Sequence, residues 1–245
     1  MMSNAYLRRL TSTALALAIL VSAALQHASA NAELPSFSAA YTVRYGLLRG
    51  RMTLELQKIG NDYQYETLLQ PKGFVSLLRR GEIRETTTLT LLDGGIRPAD
   101  YINIDTISRP HRRTSYAFDA VDGRVTGEYK TRAVDEPMQD DGHNRISAHV
   151  AIMHALQSGK EISRFSVFDR ARWRDFELEI IPEQFVETPF GDYETVEIRY
   201  SSINKDKSWS LHCAPDLDFV PVMIVFREEG KTKSRAQLTD YRMGE

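Results

Sequence analysis

A period of two in apolar and polar side chains constrains this chain more than any other feature. Tyr41, Val43 and Tyr45 alternate with Thr42 and Arg44, and Met52, Leu54 and Leu56 with Thr53, Glu55 and Gln57. The alternation returns at Thr87, Leu89 and Leu91, and at Tyr116 and Phe118. It returns again at Phe176, Leu178 and Ile180, and at Val196, Ile198 and Tyr200. Successive strand residues point to opposite faces, so these runs predict antiparallel strands with one dry and one wet face.

Turn chemistry falls between the runs. Gly60-Asn61-Asp62, Asp93-Gly94-Gly95, Asp122-Gly123, Gly191-Asp192 and Gly230-Lys231 supply the positive φ that tight hairpins need. Pro182 interrupts the run from Phe176 to Thr188 and removes a ladder donor, which predicts an edge or a bulge there. One segment has a different period. Ile146, Val150, Met153 and Leu156 are spaced as one helical face ending at Gly159, with Asn144 or Ser147 as candidate caps. The expected fold is mainly β: a strongly curved antiparallel sheet or open β-barrel of about 10–12 strands with one helix near 147–158. A sheet of that width must curl, split or hold something, and the helix is a natural plug or lid for its concave face.

The N-terminus reads as an address. Arg8 and Arg9 precede an uncharged apolar run from Ala14 to Leu25, and Ala28-Ser29-Ala30 has the A-x-A form. The run is about twelve residues, short of the roughly twenty that cross a bilayer as a helix. The expectation is a cleaved secretory signal over 1–30 and a single β-rich periplasmic domain over 31–245. No cysteine lies near the cleavage site, so the protein is not expected to be a lipoprotein. The full chain carries a net charge of −2, and loss of the two arginines makes the remainder more acidic. A global basic footprint for nucleic acid is missing. Cys213 stands without a partner and reads as a buried small hydrophobe.

The residues that carry chemistry form no familiar constellation. G-x-S-x-G, Walker, G-x-G-x-x-G and H-E-x-x-H patterns are absent. His149 and His154 are five apart and do not share a helical face. Asp140, Asp141 and His143 read as a solvated turn ahead of the helix, their spacing matching no metal pattern. Glu177, Glu179, Glu183, Glu187 and Glu197 read as wet strand faces. No catalytic residue, metal or cofactor is expected.

Two groups suggest binding. Lys72 to Arg80 reads KGFVSLLRR, placing Phe74, Val75, Leu77 and Leu78 between cations in a connection between strands. These four, with Trp173 and Trp209, are the candidate ligand-contacting residues, as core or as the rim of an apolar pocket. Arg79 and Arg80, with Arg112 and Arg113, are the candidates for contact with anionic groups such as lipid headgroups. A further basic group holds Arg170, Arg172 and Arg174.

The stretch from Trp209 to Val222 reads WSLHCAPDLDFVPV. It resembles the tryptophan, Ala-Pro-Asp-Leu, aromatic and Pro-Val segment of the domain of unknown function 3108 family. Gly46 to Gly50, Ile96 to Tyr101, the helix region from Asp140 to Lys160, and Glu187 to Val196 follow that family in order. His212 and Cys213 depart from it where apolar residues are commoner, as does Phe219 where tyrosine is. The resemblance implies a single β-rich periplasmic domain of proteobacterial envelope proteins and transfers no catalytic residue. Its motifs read as fold-specifying, with Pro215 and Pro221 bracketing a turn and Trp209 packing beneath it.

The function expected is non-enzymatic. A lipid, envelope precursor or other amphipathic small molecule would bind in the curved sheet. The alternative is a structural or protein-interaction module of the envelope with a solid core. An outer-membrane barrel is disfavoured because the chain ends Arg242-Met243-Gly244-Glu245 rather than in an aromatic, and because charge recurs along the strands. The protein is not expected to be integral to the membrane.

Overall fold

The alternating segments assemble into a single sheet of sixteen strands. The computed structural model describes residues 33–73, 80–92, 95–203 and 206–244. The strands in the first half are β1 (Phe37–Tyr45), β2 (Leu48–Ile59), β3 (Asp62–Lys72), β4 (Ile83–Leu92), β5 (Gly95–Pro98), β6 (Asp100–Asp105), β7 (Arg112–Asp119), β8 (Arg124–Tyr129) and β9 (Arg132–Pro137). Then come β10 (Gly142–Asn144), the helix α1 (Ser147–Gln157), β11 (Arg164–Phe168), β12 (Trp173–Glu187), β13 (Asp192–Ser202), β14 (Lys207–Ala214), β15 (Val220–Glu228) and β16 (Lys231–Met243). Leu34–Glu245 form one compact unit.

Both halves are meanders, and they join where β1 pairs with β16. The one crossover is β10–α1–β11, whose strands are parallel. The sheet does not close by hydrogen bonding: β9 and β10 end it. The expected curved sheet with one helix is therefore what forms. The strand number exceeds ten to twelve; joining β5 and β6, one line broken at Ala99, and leaving out the three-residue β10 still gives fourteen. Asp100 marks the break, its carboxylate accepting from the Thr88 backbone N–H at 2.8 Å and the Thr88 hydroxyl at 2.9 Å.

Side chains stitch the two ends of the sheet. Asn144, fully buried, opens α1 by accepting from the Ser147 and Ile146 backbone N–H groups at 2.9 and 3.1 Å. Ser147 Oγ accepts from the Asn144 N–H at 2.8 Å, so the two side chains lace the turn ahead of the helix, whereas the cap position is Ile146 rather than either expected residue and makes no side-chain cap hydrogen bond. The Asn144 amide also donates to Thr87 Oγ1 on β4 at 2.8 Å. On the other side of the seam the Ala171 N–H donates to Tyr116 Oη, and the Trp173 indole N–H donates to the Pro137 carbonyl. Phe168 packs edge-on against Tyr116, Phe118 and Trp173.

Local expectations can be placed in this frame. The β12–β13 register slips between Ile181 and Gln184, so Pro182 sits in a bulge, with Glu183 at φ 55°. Cys213 is fully buried, and burial pushes its thiol well up, as for an inert core residue. Three readings need correction. Glu197 is only 5% exposed rather than on a wet face, and His143 is buried rather than in a solvated turn. Trp209 does not lie beneath the 3-10 turn Pro215–Leu217 between β14 and β15; it sits near the other end of β14, stacked on Tyr200. No described helix is long and apolar enough to cross a membrane.

Candidate functional site

The inward face differs between the two ends of the sheet. At the end that carries the β2–β3 and β7–β8 turns, inward residues are sealed: Leu56, Tyr65, Leu89 and Val125 are fully buried. At the end that carries the β1–β2 and β15–β16 turns, the inward residues Val43, Met52, Leu69, Ile83, Trp209 and Phe226 are only partly buried. Register places them on one face: Met52 opposes Leu69, Leu69 opposes Ile83, and Trp209 opposes Phe226. Apolar side chains that point inward yet stay accessible mean that the facing walls do not meet. This end of the sheet is a cup.

The floor of the cup is polar. Glu85 projects inward from β4, opposed by Thr67 and Asn103. It is 7% exposed and accepts a short hydrogen bond from Tyr101 Oη. Arg145, next to the residue that opens α1, brings its Nε to 3.6 Å from the same carboxylate. The Arg145 side chain is nevertheless 51% exposed, so water reaches it among groups from β4, β6 and β13. The Glu85 carboxylate holds this guanidinium charged well beyond its usual range. One turn into α1, His149 Nε2 lies 3.1 Å from Tyr200 Oη. Burial lowers His149 to about 4 and pushes the Tyr200 phenol well up, so both are neutral at pH 7. The floor thus offers one fixed cation, tied to a carboxylate on one side and open on the other.

A second polar cluster lies on the outward face of β13 and β14. Burial raises the Glu197 carboxyl, but hydrogen bonds from Ser210 and Arg199 outweigh it and hold it below the ordinary carboxylate range. Arg199 makes two of those bonds, at 2.8 and 3.1 Å, and Arg227 donates to Ser210 Oγ at 2.7 Å. Burial keeps His212 neutral beside them. These groups largely satisfy one another and read as a structural network. Among the described residues, no group of His, Cys, Asp or Glu is arranged to hold a metal.

The proposed ligand and anion contacts fall in several places. Trp209 lines the cup wall, whereas Trp173 lies at the seam. Arg80 stands at the cup's rim. Arg112 stands there too, opposite Asp105, with Arg113 beside it on the outward face. Phe74, Val75, Leu77, Leu78 and Arg79 lie outside the described residues. Sequence reasoning missed Arg145 and Glu85. Glu85 was legible as an inward position, because it alternates with Thr87 and Leu89. Nothing in the sequence marks Arg145.

The profile of the family described as "Protein of unknown function (DUF3108)" matches residues 37–230. The chain belongs to this family. The match spans the cup, the helix and the sealed end. Among solved structures, the chain is similar to a beta-barrel-like protein of domain of unknown function DUF1849 from Brucella abortus. Identity is 12%, the TM-score is 0.57, and the match covers 87% of this chain and 99% of that one. At that identity the likeness concerns the fold alone. A comparison with curated proteins gives no match.

Proposed function

We propose that this DUF3108 protein is an exported, non-enzymatic binding protein of the periplasm whose cup holds an amphipathic molecule with an acidic head. The supporting observation is Arg145: a half-exposed guanidinium at the floor of an inward-facing apolar wall. Such a floor pairs with a carboxylate or phosphate, while Met52, Leu69, Trp209 and Phe226 take an acyl or other apolar body. Glu85 is engaged by Tyr101 and Arg145 and His149 is neutral, so the floor suits holding an anion rather than moving a proton. The reading as an edge-to-edge protein module is weaker. The terminal strand β9 carries Arg132, Asp135, Glu136 and Pro137, a charge and proline pattern that discourages strand addition.

Native mass spectrometry of protein purified without detergent tests the proposal. A co-purifying amphiphile is expected in wild type, lost on delipidation and on Arg145→Ala, and regained by delipidated wild type from a fatty-acid probe. Wild-type protein with no adduct and no uptake of the probe refutes it.

A further inference from the structure

The two rims of the sheet carry opposite charge. Connections at the cup's mouth present Lys72, Arg80, Arg109, Arg112, Lys130 and Arg132. Several acids at this rim are already engaged: Glu82 by Arg84, Asp169 by Arg170 and Arg174, and Glu228 by Lys207 and Lys233. Connections at the sealed end present Asp119, Asp122, Asp140, Asp141, Asp216 and Asp218 instead, against Lys160, with Asp141 3.9 Å from Arg97. Strands of ten residues hold the rims roughly 33 Å apart, several times the Debye length at physiological salt. Each rim therefore meets its surroundings with its own sign.

The mouth also has a row of cations across four neighbouring strands. On the outward face, Lys72 of β3 opposes Arg49 of β2, Arg49 opposes Arg44 of β1, and Arg44 opposes Arg235 of β16. Like charges directly abreast destabilise a sheet. All four are exposed, and none has an ion pair among the described residues. A groove of about 420 Å³ opens beside the row, its lining including Arg49, Arg51 and Lys72. Its one acid, Asp240, is paired with Arg242 at 3.5 Å. Just beyond the row, the β1–β2 turn presents Leu47, 99% exposed, between Tyr45 and Leu48, which are about half exposed.

We infer that this rim docks on an anionic lipid surface. Leu47 and Leu48 enter the interface, and the row from Lys72 to Arg235 rests on headgroup phosphates. Charge complementarity selects the partner's sign. An apolar turn just ahead of the cations selects a bilayer over a soluble polyanion, which offers nothing to bury leucine in. The contact stands independently of what the cup holds, and it brings the mouth of the cup to the lipid.

Sedimentation with phosphatidylcholine vesicles, with and without about one-third phosphatidylglycerol, tests this on protein recovered from cells expressing the full chain. Wild type should bind the anionic vesicles at low salt and release at high salt. R44E/R49E/K72E should weaken binding by about a hundredfold or more, at about fivefold or more per cation. Leu47→Asp should weaken it by about tenfold. D140N/D141N at the sealed end should bind as wild type. Arg145→Ala should also bind normally, which separates this contact from the cup. All the variants are at exposed positions, and thermal melts verify that they fold. Equal binding to neutral vesicles overturns the inference, as does indifference to charge reversal. So does a dextran sulfate affinity equal to the vesicle affinity with Leu47→Asp silent in both.

Discussion

The sealed end and the open end of this sheet are built from the same alternation, yet one is a core and the other a cup. At the sealed end Leu56, Tyr65, Leu89 and Val125 interlock with no exposed surface. At the open end Met52, Leu69 and Ile83, on the same strands and the same face, remain accessible. The difference is in what lies opposite. The aromatic seam around Phe168 and the body of α1 draw the walls together at one level; above it only the start of the helix and the side chain of Arg145 stand between them. Periodicity sets which face is dry. Closure across the sheet decides whether that face meets another.

Paired truncations separate the ends most sharply. Leu56→Ala removes a fully buried side chain from packed surroundings and should lose about 3–4 kcal/mol of unfolding free energy. Leu69→Ala, in a wall already partly exposed, should lose only about 1 kcal/mol. Urea denaturation of both variants and wild type gives the two differences directly. Equal losses would mean that the upper wall is packed like the lower and that the cup is not hollow.

Acid breaks the comparison differently. Burial lowers His143 and His149 to about 4 from the ordinary 6.5; for His143 the nearby Arg97 adds to the effect. Their folded values lie below the unfolded one, so the unfolded chain takes up protons first as pH falls. The stability they contribute is complete above about pH 6.5 and is lost progressively toward pH 4, by about 3 kcal/mol for each histidine. Stability measured across that window should fall steeply in wild type. The slope should be shallower in His149→Gln, which cannot charge. A flat profile in wild type would show that these rings are protonated as easily folded as unfolded.

The strands, the turns, the Pro182 bulge and the limits of α1 were legible because each is a local matter of period or dihedral. The residues that position the cup were not. Asn144 reads as a helix cap; the cap position is Ile146, and Asn144 braces the turn just ahead of it. Its second task, tying α1 to Thr87, depends on a strand brought alongside by curvature. Arg145 reads as a flanking charge beside an apolar helix face; its pairing with Glu85 spans sixty positions and needs the sheet to curl. Glu197 reads as wet by alternation, because the pattern carries no sign that Arg199, Arg227 and Ser210 bury it. The cation row is likewise invisible in one dimension, since Arg44, Arg49, Lys72 and Arg235 come abreast only through strand register.

The smallest expected effect has the opposite sign. Tyr65 is fully buried; burial first, and then the nearby Glu85 carboxylate and Tyr200, push its phenol well up, and among the described residues its hydroxyl has no hydrogen-bond partner. A buried hydroxyl without a partner is held at the expense of its lost hydration, about 1–3 kcal/mol. Phenylalanine keeps the ring that lies tilted against Phe37 and removes the stranded oxygen. Tyr65→Phe should therefore stabilise the protein by about 1 kcal/mol, less than the full penalty because the vacated space forfeits some packing. The same change on a cup residue with a partnered hydroxyl should go the other way: Tyr101→Phe strips Glu85 of a donor and destabilises. Opposite signs in a pair of thermal melts would place Tyr65 in the sealed core and Tyr101 in the site. A loss in both would mean that the Tyr65 hydroxyl is satisfied, by a water at the boundary where the core gives way to the cup.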